Sequence, residues 1–485
     1  MRRRITVVAA TLALVVGIVA AAFAGSDFGV GRDRTLATRA LQLFGIKKPL
    51  AASSTLSISE AEATADPLKL ATFAKPLTAR VVTAGTAAPI IDMMVLWPND
   101  EDPTTIIACN EGGTADPGLQ AIDIATGETR TLLTGTVSCD PAHITPWHTI
   151  VFGEETYGGG IANGRIYELI DPLGVQNVTL DREAGTFSDE ATQDGYGADH
   201  FVAREALGRA SFEGIGILPN GVTYYGDENR PSEGTAGGAY FKFVPSNLWV
   251  DGSDPITSLS DSPLASGSVF GLRLGKRGTA PGSDYGQGTN TGLGTWIPLG
   301  SGGNVDLRAA AATNKLTGYY RPEDLAFDEA ALDGGQVKWC GDNTGNEATD
   351  HAWGETICLS DGALADTAET TTPEVQYFVI GTSELAMMDN VAYQPGFGNW
   401  VLHEDGDIGD THRNNDLWDC LPDGADADSL SDGCIRIGTL NDWASNDEGA
   451  EWTGGVFDAT GTRLFVSVQH NVTGHGIVLE VTGWA

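Results

Sequence analysis

Ser138-Cys139-Asp140-Pro141-Ala142-His143-Ile144-Thr145-Pro146-Trp147-His148-Thr149-Ile150-Val151-Phe152-Gly153-Glu154-Glu155-Thr156 is the stretch around which the chain is organised. Cys139 meets a turn signal at Asp140-Pro141, and a second turn signal follows at Thr145-Pro146-Trp147. A short β-rich run, Ile150 to Phe152, then ends in two adjacent carboxylates. A buried strand ending in Glu-Glu is costly unless a positive partner waits there, and in an acidic protein a metal ion would be such a partner.

Outward from this stretch, the form strand, turn, strand recurs. Ile90 to Trp97, Thr104 to Cys109 and Leu119 to Ile124 are β-rich, and Ala125-Thr126-Gly127-Glu128 reads as a turn. Ile215 to Pro219 leads through Asn220-Gly221 into Val222 to Tyr225, a hairpin signal. Leu325 to Trp339, Val391 to Leu402 and Val456 to Val468 repeat the form. The spacing is irregular, and no long amphipathic helical pattern follows the N-terminus. At roughly 40–50 residues per unit, this predicts an all-β fold, a six-bladed β-propeller with long loop insertions. Gly275 to Gly303 and Asp407 to Asp432 read as two such insertions.

The 485 residues carry 28 basic and 65 acidic side chains, a net charge of −37. That balance argues against nucleic-acid or anionic-membrane partners. Arg2-Arg3-Arg4, the apolar run Ile5 to Val19 and Ala22-Phe23-Ala24 read as a signal peptide over 1–24, compatible with twin-arginine export. The mature protein is therefore expected to be periplasmic or secreted, a monomer without a stable membrane span. Residues 25–78 read as an N-terminal linker or strap with one helix over Leu36 to Phe44, and 79–485 as the propeller. Among six cysteines, Cys340 with Cys358 and Cys420 with Cys434 suit local disulfides. Cys139 is left either to pair with Cys109 or to act as a free thiolate ligand.

Acids recur where these units begin and end: Glu154-Glu155, Glu213, Asp227-Glu228, Glu323-Asp324, Asp389, Glu404-Asp405 and Glu451. In a propeller the innermost strands start at one mouth of the central channel, so such acids converge there. They would repel one another unless multivalent cations were bound. Oxygen donors suit calcium, magnesium or ferric iron, and a thiolate would add a transition-metal preference. His403 and His470 stand beside these acids. Arg321 in Tyr-Arg-Pro-Glu suits either a carboxylate partner or a phosphate oxyanion.

The same residues, in order, resemble the PhoX-type alkaline phosphatases. The resemblance lies in Ser138-Cys139 with Thr145-Pro146-Trp147-His148-Thr149 and Glu154-Glu155, then Gly208-Arg209 with Phe212-Glu213. It continues through Tyr225-Gly226-Asp227-Glu228, Tyr240 to Val244, Arg321-Pro322-Glu323-Asp324, Glu451 to Gly455 and Gln469-His470. It implies an enzyme, a phosphoric monoester hydrolase serving phosphate acquisition, with Fe3+ and Ca2+ at the channel mouth and small phosphate esters as substrates. Cys139, Glu155, Glu213, Asp227, Glu323, Asp405 and Glu451 would be the metal ligands, with Arg321 on the substrate phosphate. The catalytic set would be Arg321, Cys139 and Glu155. The chain departs from the family's pattern at Ser138, Asp140 to His143, His148, Ser211-Phe212 and Glu228. Two rivals stand beside this expectation: a calcium-only propeller esterase, lactonase or phytase, and a non-catalytic calcium-binding propeller.

Overall fold

The computed structural model describes residues 27–187, 200–231, 237–275, 291–301, 303, 305–345, 352–406, 411–424, 428–442 and 449–485. The signal peptide expected over 1–24 and parts of both expected insertions lie outside the described residues. The architecture is all-β and propeller-like, with few helices. Among the described residues five sheets, antiparallel except where Val178–Asp181 joins Thr129–Thr134, surround a central channel. One joins Ile91–Trp97, Thr105–Asn110, Pro117–Asp123 and Thr129–Thr134, extended by Val178–Asp181 and Thr186–Phe187. The next holds Cys139–Ile144, Ile150–Glu154, Ile166–Leu169 and Phe201–Ala203. In the nine-stranded sheet two meanders meet edge to edge. One starts at Ile215–Ile217 and the other at Pro322–Phe327, and Gly292–Ser301 bridges their outer strands.

The starting strands Ile91–Trp97, Cys139–Ile144, Ile215–Ile217, Pro322–Phe327, Met388–Tyr393 and Glu451–Phe457 touch in cyclic order, and the last touches the first. The ring is closed by the chain's own start. Thr78–Ala87 adds as the outer strand to the sheet formed by Glu451–Phe457, Arg463–Gln469 and Gly476–Thr482. A closed ring leaves no gap between first and last sheets, where apolar faces would otherwise meet water.

Residues ahead of that strand dock on the same side. The helix Val30–Phe44 buries Leu36, Ala40 and Phe44, spaced four apart, among Leu421, Ile435 and Val401. Gly45 ends it in the left-handed conformation, with its N–H on the Ala40 carbonyl. Ala71–Phe73 then pairs with Cys434–Leu440. The segment is thus a packed part of two sheets.

One expectation about local structure changes. Asp140-Pro141 reads in sequence as a turn, but Cys139–Ile144 is a strand with a bulge after Cys139, since pairing shifts from Cys139–Glu154 to Ala142–Phe152. Trp147 and Thr149 serve the scaffold. Trp147 Nε1 and Thr149 Oγ1 both donate to the buried Glu168 carboxylate at 2.6 Å.

Candidate active site

The bulge at Cys139 is one copy of a repeated device. In the strand from Ile91, pairing shifts from Ile91–Asn110 to Met94–Ala108. The same shift occurs between Pro322 and Leu325 and between Met388 and Val391. Each time the residue after the first is an acid: Asp92, Asp140, Glu323 and Asp389. Glu213 holds the same offset ahead of Ile215, which pairs with Tyr225. In the last sheet the shift runs from Thr453 to Val456, and the position falls on Gly454. Gly454 has φ +65°, and a Cβ there would lie 2.2 Å from the Asp92 carbonyl oxygen.

A second tier lies just beyond the neighbouring strand. The N–H groups of Glu111, Glu155, Glu228, Thr344 and Asp405 donate to the carbonyls of Ile90, Ser138, Ser211, Arg321 and Met387. These bonds span 2.8–3.1 Å and close the same loop in five places. Ser138, Arg321 and Met387 sit there with φ of 44°, 55° and 52°, each two residues ahead of a bulge acid, Asp140, Glu323 or Asp389.

In four of the six meanders the residue at the end of the second strand, or just past it, is an anchor. Asn110 Oδ1, Glu154 Oε1, Asp227 Oδ1 and Glu404 Oε1 accept from the N–H of Ile90, Val137, Ser211 and Ala386 at 2.9–3.1 Å. The three acids among them are neutralised from outside the channel. Arg182 reaches Glu154 at 2.6 Å, Arg308 reaches Asp227 at 2.8 Å, and Arg413 pairs with Glu404.

These tiers enclose a cavity of about 430 Å³ on the channel axis. Asp92, Glu111, Asp140, Glu155, Glu213, Asp389, Asp405 and Glu451 line it, against Arg230, Arg321 and His470. Burial, then mutual repulsion, raises the pKa of Asp92, Asp140, Glu155, Glu213, Asp389 and Glu451 well above the carboxylate range. Burial also raises Glu323, although Arg321 opposes it. Arg321 Nε lies 3.0 Å from Glu323 and 3.2 Å from Glu228, and Nη2 lies 3.4 Å from Asp405. Burial pulls Arg321 down, but these carboxylates outweigh it and hold the guanidinium charged.

Two triplets of carboxylates have oxygens within 4.8 Å of one another: Asp92, Glu111 and Asp140, and Glu213, Glu323 and Asp389. Asp92 Oδ1, Asp140 Oδ1 and Glu323 Oε2 are buried without a hydrogen-bond partner. Buried carboxylate oxygens so placed are costly alone and are the donors a hard cation takes. The residues present fit multivalent metal ions.

The structure brings together most of the residues expected from sequence. Glu155, Glu213, Asp405, Glu451 and Arg321 line the cavity, and Glu323 joins Glu213 and Asp389. Two expected ligands are corrected. Cys139 is bonded to Cys109, so its sulfur is not a thiolate ligand. Asp227 faces away into the Arg308 fork, and Glu228 takes the second-tier position against Arg321. His403 is buried against the Asn390 carbonyl, whereas His470 meets Glu451 at 3.3 Å. Asp92, Glu111 and Asp140 were not among the expected ligands. Asp92 and Asp140 sit inside starting strands and Glu111 just past the strand Thr105–Asn110, so they become legible only once the bulge offset is known. Cys340–Cys358 and Cys420–Cys434 pair as their spacing predicts.

Fold and cavity define a propeller-like protein with a metal-suited acidic centre on its axis. The profile described as "Alkaline phosphatase PhoX" matches residues 112–471. The chain belongs to this family, and it is a phosphatase. The solved structure of Pseudomonas fluorescens PhoX in complex with vanadate, described as a transition state analogue, is similar. It has 15% identity and TM-score 0.58 over 89% of this chain and 98% of that one. The PQQ-bound aldose sugar dehydrogenase of Streptomyces coelicolor is a more distant likeness, with 12% identity and TM-score 0.37 over 85% and 99%. A sequence search of curated proteins finds no match.

Proposed function

We propose that this phosphatase hydrolyses phosphomonoesters in the axial cavity, using ferric iron and calcium held by the two carboxylate triplets with Glu155, Asp405 and Glu451. The observation that carries the reading is the acid repeated at one bulge position in four starting strands, with Glu213 at the same offset ahead of a fifth and buried oxygens left unpartnered. The nine-stranded sheet counts as two blades in this reading, which makes the propeller six-bladed.

Bound multivalent cations would neutralise the acids and polarise phosphoryl oxygens as Lewis acids. The chain's own residues set the geometry. Arg321, fixed on three sides by carboxylates, presents a charged fork that favours the dianionic transferring group. Thr344 Oγ1 lies 2.9 Å from Glu323 Oε1 and 3.3 Å from Asp389 Oδ1, so it orients two carboxylates rather than attacking substrate. No Ser-His-Asp or G-x-S-x-G arrangement is needed. Vanadate held by the P. fluorescens protein is in keeping with in-line phosphoryl transfer, and vanadate should inhibit this enzyme too. The N-terminal 1–24 signal would export the protein, where an acidic monomer could scavenge phosphate from esters.

Elemental analysis of active protein tests the metal set, with iron and calcium together expected. The Cys109–Cys139 disulfide favours a second reading, an all-oxygen calcium-only phosphatase. Full activity in protein containing calcium but no iron would select it. Metal-free protein that still turns over a phosphomonoester would overturn both.

A further inference from the structure

Carboxylates hold Arg321 at two points of its guanidinium. Glu228 and Glu323 meet Nε at 3.2 and 3.0 Å, and Asp405 meets Nη2 at 3.4 Å. The first two fix where the group sits, and Asp405 sets which way its far end turns. A binding group turned slightly out of line loses much of its effect. Asp405 directly follows the strand Trp400–Glu404, so its place depends on what holds the chain beyond it.

That hold is a side chain outside the cavity. Asn415 Oδ1 accepts from the Gly406 N–H at 3.0 Å, and Asn415 Nδ2 donates back to the Gly406 carbonyl at 3.2 Å. The residue after Asp405 is thus clamped at both its backbone groups. On the other side, the Asp405 N–H donates to the Met387 carbonyl at 2.9 Å. Asn415 Nδ2 also donates to the Ala450 carbonyl at 3.1 Å, at the start of the strand Glu451–Phe457. Trp452 Nε1 donates to the Asn415 carbonyl at 3.2 Å. Asn415 is 1% exposed, and asparagine suits the place because one neutral amide supplies an acceptor and two donors.

The chain's start fixes Asn415 in turn. The Ser54 carbonyl accepts from the Asn414 N–H at 3.0 Å, and the Leu56 carbonyl accepts from Asn414 Nδ2 at 2.9 Å. Ser53 Oγ donates to the Asp416 carboxylate, which Arg436 Nε also meets at 2.6 Å. Asn414 and Asp416 therefore face the N-terminal segment, while Asn415 between them faces the Asp405 loop.

We propose that Asn415 is a positioning residue for substrate binding: it holds the Asp405 loop and, through Asp405, aims the Arg321 fork, with Ser53, Ser54 and Leu56 bracing it from behind. The proposal rests on the reading that Arg321 meets the substrate phosphate. It also gives the N-terminal segment a part in the site that a linker would not have.

The test is steady-state kinetics of metal-loaded, full-length protein on phenyl phosphate, in a cycle of Asn415→Ala and Arg321→Ala. Asn415→Ala should raise KM about 3–10-fold, the scale of one neutral hydrogen bond, and move kcat less. In the double variant kcat/KM should be no lower than in Arg321→Ala, because the clamp has nothing left to aim. Asn415→Asp keeps the shape and the acceptor but loses both donations. It should raise KM likewise, and it takes the place of Asn415→Ala if that variant fails to fold. A parent-like KM in either folded variant would overturn the proposal. So would losses that add in the double variant, since Asn415 would then act on the cations or the fold and not through Arg321. Parent-like kinetics of Arg321→Ala would strike the reading of Arg321 itself, and the proposal with it.

Discussion

Glu154 and Glu155 are neighbours in sequence and opposites in role. Glu154 is a fully buried anchor, met by Arg182, Tyr167 and the Val137 N–H, and Glu155 looks into the cavity. The same division separates Asp227 from Glu228 and Glu404 from Asp405. Side-chain direction alternates along a strand, so adjacent acids at its end cannot both face the axis. Asp227→Asn should lower stability by about 1–3 kcal/mol, because Arg308 loses its partner. It should change calcium binding less than Glu228→Gln does, and thermal unfolding with calcium titration checks both. Arg321→Ala should raise KM for a phosphomonoester and lower kcat/KM, losing about 1.5–3 kcal/mol for a charge-assisted contact. Steady-state kinetics with unchanged calcium binding would distinguish this from damage to the metal site.

At the scale of the element, a starting strand with its bulge is the unit that makes the site. The strands themselves were legible from β-rich runs and turn signals, and the hairpin at Asn220-Gly221 falls where its dipeptide predicts. The bulge was not legible. It inserts one residue into the pairing and so shifts which side chain points to the axis, a displacement that period-two patterning cannot reveal. Asp92 therefore hid inside Ile91 to Trp97, and Asp140 looked like half of an Asp-Pro turn. Cys139 was ambiguous for another reason, since its partner Cys109 is near only through packing between sheets. Gly454 shows what the unit requires where it carries no acid. Gly454→Ala places a methyl against the Asp92 carbonyl at positive φ, and should cost about 1–3 kcal/mol by thermal or denaturant unfolding.

Across the whole molecule, a net charge of −37 and a buried acid ring oppose the closure that Thr78–Ala87 completes. Asp324 is raised to about 7 and Asp419 to about 8, both by burial first. A carboxyl whose folded pKa lies above its unfolded value binds more protons when folded, so its contribution to stability falls as pH rises between the two values. Metal-free protein should therefore lose stability as pH climbs from about 4 to about 8. Calcium should offset much of that loss by binding the folded state alone. No helix among the described residues is long and apolar enough to cross a membrane.

The most direct measurement is hydrolysis of a simple phosphomonoester by protein stripped of metal and verified by elemental analysis, then reloaded with calcium and iron. The convergent carboxylates should make activity vanish on stripping and return on reloading, while Glu213→Gln and Asp389→Asn recover about 100-fold less than the parent. Undiminished turnover by verified metal-free protein would contradict the account.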